Sequence, residues 1–379
     1  MSHTSPHDND HDHTSAADAD ASPSPRPPKQ EQEDASEEIT EVAPGVLRTQ
    51  LPISLPGLGH VNCYVMEDER GIAIVDPGLP GDESWANLED RLRRAGYSIP
   101  DVHTVVVTHS HPDHFGAAHR IRVETDADIL THETFRSMWD TGELSDHEDS
   151  SELEVNTADA QLAAMERHFS RPTPWGGTRE RPSPEFVKRA REAAGRGRNE
   201  FAIPDPSIPV VDGQIVSLAR REWVAMHTPG HTYDHLCLFD PETGAVLTGD
   251  HVLPSITPHI SGMTPELDPL ALFFDSLGRM IEMTDVTVAL PAHGHPFTDL
   301  GGRAQRTIDH HEERLDTIRD AVHRLPNGTV PEFMQVLFKE RSWGDMAESE
   351  TYAHLEHLRE LGELDRSDPN GIAHYASVD

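Results

Sequence analysis

The heptapeptide THSHPDH at residues 108–114 constrains this chain more than any other stretch. It sets His109, His111, Asp113 and His114 within six positions, directly after an apolar β-branched run at 105–107. A strand that ends in such a cluster can aim several ligand atoms into one small volume. Imidazole together with carboxylate suits zinc, iron or manganese. Side-chain alternation sends His109 and His111 one way, while Asp113 and His114 reach a neighbouring point. Two metals sharing a water need that arrangement. The alternative is a polar turn that is merely His-rich, in a chain with 26 histidines.

Three further strand–turn junctions each add one candidate. TPGH at 228–231 follows an apolar stretch at 223–226 and presents His231. TGD at 248–250 follows 245–247 and presents Asp250, and PAHGH at 291–295 follows 286–290 and presents His293. Gly or Pro at each junction lets the backbone turn sharply.

Taken together, THSHPDH, TPGH, GD and the late His-Gly resemble the motif series of the metallo-β-lactamase superfamily. IVDPG at 74–78 resembles that family's early Asp turn, and the likeness spans roughly 46–297. The resemblance implies an α+β fold, an αββα sandwich of two mixed sheets with helices outside. It implies that His109, His111 and His231 hold one metal, that Asp113, His114 and His293 hold a second, and that Asp250 bridges them. Asp76 would orient ligands from behind. The implied cofactor is a pair of divalent ions, zinc first, with manganese or iron accepted by the same set. The implied chemistry is hydrolysis by a metal-bridging hydroxide, with Asp113 orienting the nucleophile or passing its proton onward. Asn62, His235 and His251 are candidates for the substrate pocket; for Asn62 a strand-end hydrogen bond is the alternative. No GxSxG nucleophile motif is present, and Cys63 and Cys237 read as buried, inert thiols.

Net charge is −36, with lysine only at Lys29, Lys188 and Lys339. Such a surface repels nucleic acid. It suits a salty cytoplasm, an expectation that a melting curve against KCl checks; equal stability at low and molar salt contradicts it. Two distant cysteines give no disulfide framework, no signal-peptide pattern is visible, and no apolar run reaches ~20 residues. The expectation is a cytoplasmic protein with no membrane partner.

Three units are expected. Residues 1–38 are polar, acidic and His-rich and read as a solvated tail. Residues 39–303 form the catalytic domain, with a helix over 83–95 capped by Asp82. A helical insertion at about 134–200 carries Met138, Trp139, His168, Phe169 and Trp175, which either face the substrate or pack on the sandwich. Residues 304–379 read as helices at 304–325, 330–338 and 349–361, then a short β wing, resembling a winged helix. That order on this fold resembles the β-lactamase-like protein 2 group, which includes a mitochondrial endoribonuclease. The region holds roughly twice as many acidic as basic residues, which argues for dimerisation or pocket closure over RNA binding. The favoured activity is hydrolysis of a small ester, thioester or lactone, as in the glyoxalase II-like group. The alternative is a metal-dependent endoribonuclease.

Overall fold

Side-chain alternation along the strands sorts the apolar residues into three layers. The computed structural model describes residues 29–136, 166–167, 169–179, 181, 184–185, 187–188 and 202–378. A seven-stranded sheet runs in sequence order: β1 Thr40–Ala43, β2 Val46–Leu55, β3 Leu58–Asp68, β4 Gly71–Val75, β5 Val102–Val106, β6 Asp128–His132 and β7 Ile208–Val210. A five-stranded sheet has the order β12 Val288–Pro291, β11 Ala245–Gly249, β10 Leu236–Asp240, β9 Arg221–His227 and β8 Ile215–Leu218.

On β3, Val61, Cys63 and Val65 face outward to helix α1 (Asp82–Arg94) and helix α3 (Ala118–Thr125), burying Leu88, Leu92 and Ile121. Tyr64 and Met66, one position out of phase, face the other sheet and meet Trp223, Ala225, Leu236 and Leu247. The far side of the second sheet packs Cys237 and Val246 against helix α4 (Pro269–Glu282) and helix α5 (Leu300–Val322). The order of layers is helix, sheet, sheet, helix, as expected. Burial drives both thiols upward, Cys237 to about 12, so they are inert packing groups.

Helix α1 departs from the expected start. Asp82 is its first residue rather than its cap, and Gly81 at φ +113° precedes it. Asp82 and Glu83 in the first turn, with Arg91, Arg93 and Arg94 in the last, still complement the helix dipole.

The expected tail ends earlier than residue 38. Gln30–Gln32 form a 3₁₀ turn on the body, and Glu31 is fully buried. Its carboxylate accepts the backbone N–H groups of Ser255 at 2.7 Å and Ile256 at 3.0 Å. Polar composition concealed this strap because hydrogen bonds rather than apolar contacts hold it. The remainder of the tail lies outside the described residues.

At the other end, helix α6 (Val330–Leu337) and helix α7 (Asp345–Glu360) follow α5. A three-stranded sheet of β13 Gly328–Thr329, β15 His374–Ser377 and β14 Leu364–Ser367 completes the unit. A division at 303/304 would cut α5. Its Leu300 and Ala304 share one apolar core with Phe273 of α4 and with Leu355 and Tyr375 farther along the chain. No helix among the described residues is long and apolar enough to cross a membrane. Of the insertion, Met138, Trp139 and His168 lie outside the described residues. Trp175 is buried against the C-terminal unit: its Nε1–H donates to Glu348 at 2.9 Å and its ring packs on Tyr352.

Candidate metal centre

Strand direction gathers the motifs at one edge. β4 and β5 are parallel, so Asp76 and the 108–114 turn leave the first sheet side by side. β9 and β11 are both antiparallel to β10, and β12 is parallel to β11. Their ends therefore present His231, Asp250 and His293 together. After β5 the chain turns at 108–111 and enters the short helix α2 (Pro112–Phe115), which carries Asp113 and His114.

The seven residues form two contiguous groups. In one, His111 Nδ1 lies 2.9 Å from His109 Nε2 and 3.1 Å from His231 Nε2. In the other, Asp113 Oδ2 lies 3.5 Å from both His114 Nε2 and His293 Nε2. Asp250 stands between them. Its Oδ2 is 3.6 Å from His231 Nε2, 3.7 Å from His114 Nε2 and 4.0 Å from His109 Nε2, and its Oδ1 is 3.3 Å from His293 Nε2. Donors bound to one ion at about 2.0–2.2 Å would show separations of this size. His114 Nε2, His293 Nε2 and Asp250 Oδ1 are buried and make no hydrogen bond. Buried polar atoms without partners are costly, and a divalent ion would satisfy all three.

Electrostatics point the same way. Burial, then the neighbouring imidazoles, hold His109 and His111 well below the usual range, so both stay neutral and keep lone pairs free. Burial also opposes charge on His114, but Asp113, Asp250 and Asp76 outweigh it and push the imidazole up to about 10. Burial opposes an ionised Asp250 as well, yet His293 and His114 hold its carboxyl well below the carboxylate range. The carboxylates of the centre thus draw positive charge onto the neighbouring imidazoles, a place a bound cation would take.

Three of the imidazole donors are oriented from behind. Asp76 accepts from His114 Nδ1 at 2.9 Å and from the Thr108 N–H at 2.9 Å and hydroxyl at 2.8 Å. It does so from a left-handed backbone, φ +53°, uncommon for a residue with a side chain. His231 Nδ1–H donates to the His259 carbonyl at 2.7 Å, and His293 Nδ1–H to the His60 carbonyl at 2.6 Å.

Two pocket expectations are corrected by burial, and a third with them. His235 is buried behind Asp250: its Nε2 accepts the Asp250 N–H at 3.0 Å and its Nδ1 pairs with Thr228 Oγ1 at 2.7 Å. Gly249, at φ +50°, is required there, because a Cβ would stand 2.6 Å from His235 Nε2. Asn62 is buried too, donating to the carbonyls of Pro291 at 2.8 Å and Gly294 at 2.9 Å, so it takes the strand-end alternative. His251 is likewise buried rather than at a pocket wall, packed on Phe273, and burial lowers it to about 3. The sequence reading missed Asp234, a buried carboxyl raised to about 7 by burial. It accepts from Ser110 Oγ at 3.1 Å and so ties the 108–111 turn to the 228–235 loop. The Asp-His pair directly after TPGHTY was its only signal.

The family described as "Metallo-beta-lactamase superfamily" matches residues 56–314, and the chain belongs to it. It is a hydrolase family whose members typically bind divalent metals. A metallo-beta-lactamase family protein from Thermus thermophilus is similar with a TM-score of 0.69 and 27% identity, covering 89% of this chain and 100% of that one. Among curated proteins, "Probable metallo-hydrolase YqjP" of Bacillus subtilis is 23% identical over 79% of this chain and 88% of its own length. An atrochrysone carboxyl ACP thioesterase of Paecilomyces divaricatus is 29% identical over 44% of this chain, and the match spans only 52% of the thioesterase.

Proposed function

We propose that this protein is a two-metal hydrolase of small acyl substrates, with thioesters first. The observation that carries the reading is the unbroken seven-residue donor set with three buried atoms lacking partners. His109, His111 and His231 would hold one ion, Asp113, His114 and His293 the other, and Asp250 both. When bound, the ions supply an acidified water and polarise an acyl carbonyl. The chain's own part is orientation and proton handling. Asp113 takes a proton at Oδ1, the oxygen turned away from the donor group, and passes it to the leaving group. Asp76 holds the His114 ring, and His235 fixes the Asp250 backbone. Zinc fits the nitrogen-rich set best, and manganese or iron also fits.

The thioesterase relative supports the acyl class, as does an acidic surface unsuited to polyanions. A second reading rests on the C-terminal unit. Three helices, with one strand of a small sheet between α5 and α6 and two after α7, are the order of a winged helix, and this favours the endoribonuclease-like group. That unit's acidity favours the acyl reading and gives the unit a role in closing the site or pairing two copies. A parallel screen of metal-loaded protein decides. Acyl-thioesters, S-lactoylglutathione, lactones, bis-p-nitrophenyl phosphate and single-stranded RNA would be compared. The expected result is thioester turnover; RNA cleavage without acyl hydrolysis overturns the order.

A further inference from the structure

The histidines that complete each donor group, His231 and His293, are both oriented through a backbone carbonyl. Each carbonyl belongs to another histidine, and each of those is tied by its side chain to a segment outside the family-matched residues 56–314. His60 Nδ1–H donates to the carbonyl of Glu33 at 2.8 Å, and its Nε2 accepts the Gly294 N–H at 3.1 Å. The strap that supplies Glu33 is locked down by buried Glu31, and Gly59 lies so close beneath it that a Cβ would stand 2.2 Å from the Glu33 oxygen. On the other side, His259 Nδ1 lies 3.4 Å from Glu350 Oε2 on α7. Glu350 is itself held by Arg314 of α5. One step along, the Gly262 N–H donates to Ser349 Oγ at 3.0 Å, pinning the same loop to the same helix.

We propose that the N-terminal strap and Glu350 are positioning elements of the metal centre, each governing one half of it. The strap acts on His293 through His60, and Glu350 acts on His231 through His259. This rests on the two-metal reading above. An imidazole ligand binds well only when its far nitrogen is held, because that bond fixes both tautomer and ring direction. A carbonyl on a loop free to move cannot hold it. The two anchors reach the centre from opposite ends of the chain. Glu31 also bonds Ser255 and Ile256 near His259, so the bonds that separate the halves are His60 to Glu33 and His259 to Glu350. Loosening one therefore weakens one ion and spares the other.

The test uses the full-length chain stripped of metal and titrated with Co2+. Bound ions per chain and the ligand-field absorption of each site are followed, and the melting temperature of the metal-free chain checks folding. Wild type should bind two ions. Glu350→Ala should weaken one ion roughly 10–100-fold, the range typical for loss of a group that orients a ligand. Glu350→Gln, whose amide oxygen still accepts from His259, should restore it. His60→Phe should weaken the other ion to a similar degree, with His60→Asn restoring the bond to the strap. If His60→Phe fails to fold, Gly59→Ala displaces the strap at Glu33 instead, since its Cβ would stand 2.2 Å from the Glu33 oxygen. Glu350→Ala should add nothing on a His231→Ala background but its full effect on His293→Ala, and the strap variants the reverse. Unchanged affinities in both variants, or equal loss of both ions in either, overturns the proposal. Fewer than two ions in wild type instead overturns the two-metal reading.

Discussion

Two buried histidine clusters in this molecule are built from the same residue types and become different objects. At the sheet ends, imidazole and carboxylate atoms converge, and three of them have no partner. No arginine or lysine pairs with Asp113 or Asp250 among the described residues. Between α5 and α7, His311, Glu350 and His354 also lie close together. There Arg314 already neutralises Glu350. His354 Nδ1–H donates to the Glu350 carbonyl at 2.7 Å, which leaves its Nε2 to accept from His311 Nδ1–H at 3.0 Å. One atom of the pair, the buried His311 Nε2, has no partner, but the carboxylate beside it is turned toward Arg314 and His259. Residue type alone does not make a metal site; converging donor atoms and carboxylates that no arginine or lysine neutralises do.

The largest expected effect breaks the first cluster. His111→Ala or Asp113→Ala should abolish hydrolysis, by at least about a thousandfold in kcat/KM, while circular dichroism stays unchanged. Substantial turnover in either variant would sink the two-metal assignment. The graded losses at Glu350 and His60 come next, because they move ligands without removing them. Replacement in the second cluster should matter least to metal. His354→Leu should retain two ions per chain, and loss of an ion would erase the contrast between the clusters.

What His354→Leu should change is acid stability. Burial lowers His354 to about 4 and holds His311 well below its usual range, so the fold prefers both neutral. Their contribution is present above the unfolded pKa of roughly 6.5 and is lost as pH falls toward 4. The variant should show a shallower loss across that window in urea unfolding, by on the order of 1–3 kcal/mol. An identical slope would show that the pair does not carry it.

The sequence made the first cluster legible because each donor closes a strand with its own turn motif. The layering was legible as well, since residues such as Cys63 and Tyr64 alternate between cores. The C-terminal helices appeared within a few residues of their observed bounds because their apolar periodicity is strong. What stayed hidden depends on backbone atoms or depth. His60 and His259 act through carbonyls, which leave no mark on residue choice. His235 and Asn62 sit at the right strand ends, but alternation gives the face of a strand and not how far behind the site a side chain lies. Glu31 looks like any acid in a polar tail until its hydrogen-bond partners, more than two hundred residues away, are in place.

The most direct test of the central claim is the number and position of ions bound by the full-length protein, located by anomalous X-ray scattering at the metal edge. The account predicts two ions per chain, one on each side of Asp250, and none between His311 and His354. An ion held by Glu350 and His354, or a centre occupied on only one side of Asp250 at saturating metal, would contradict it.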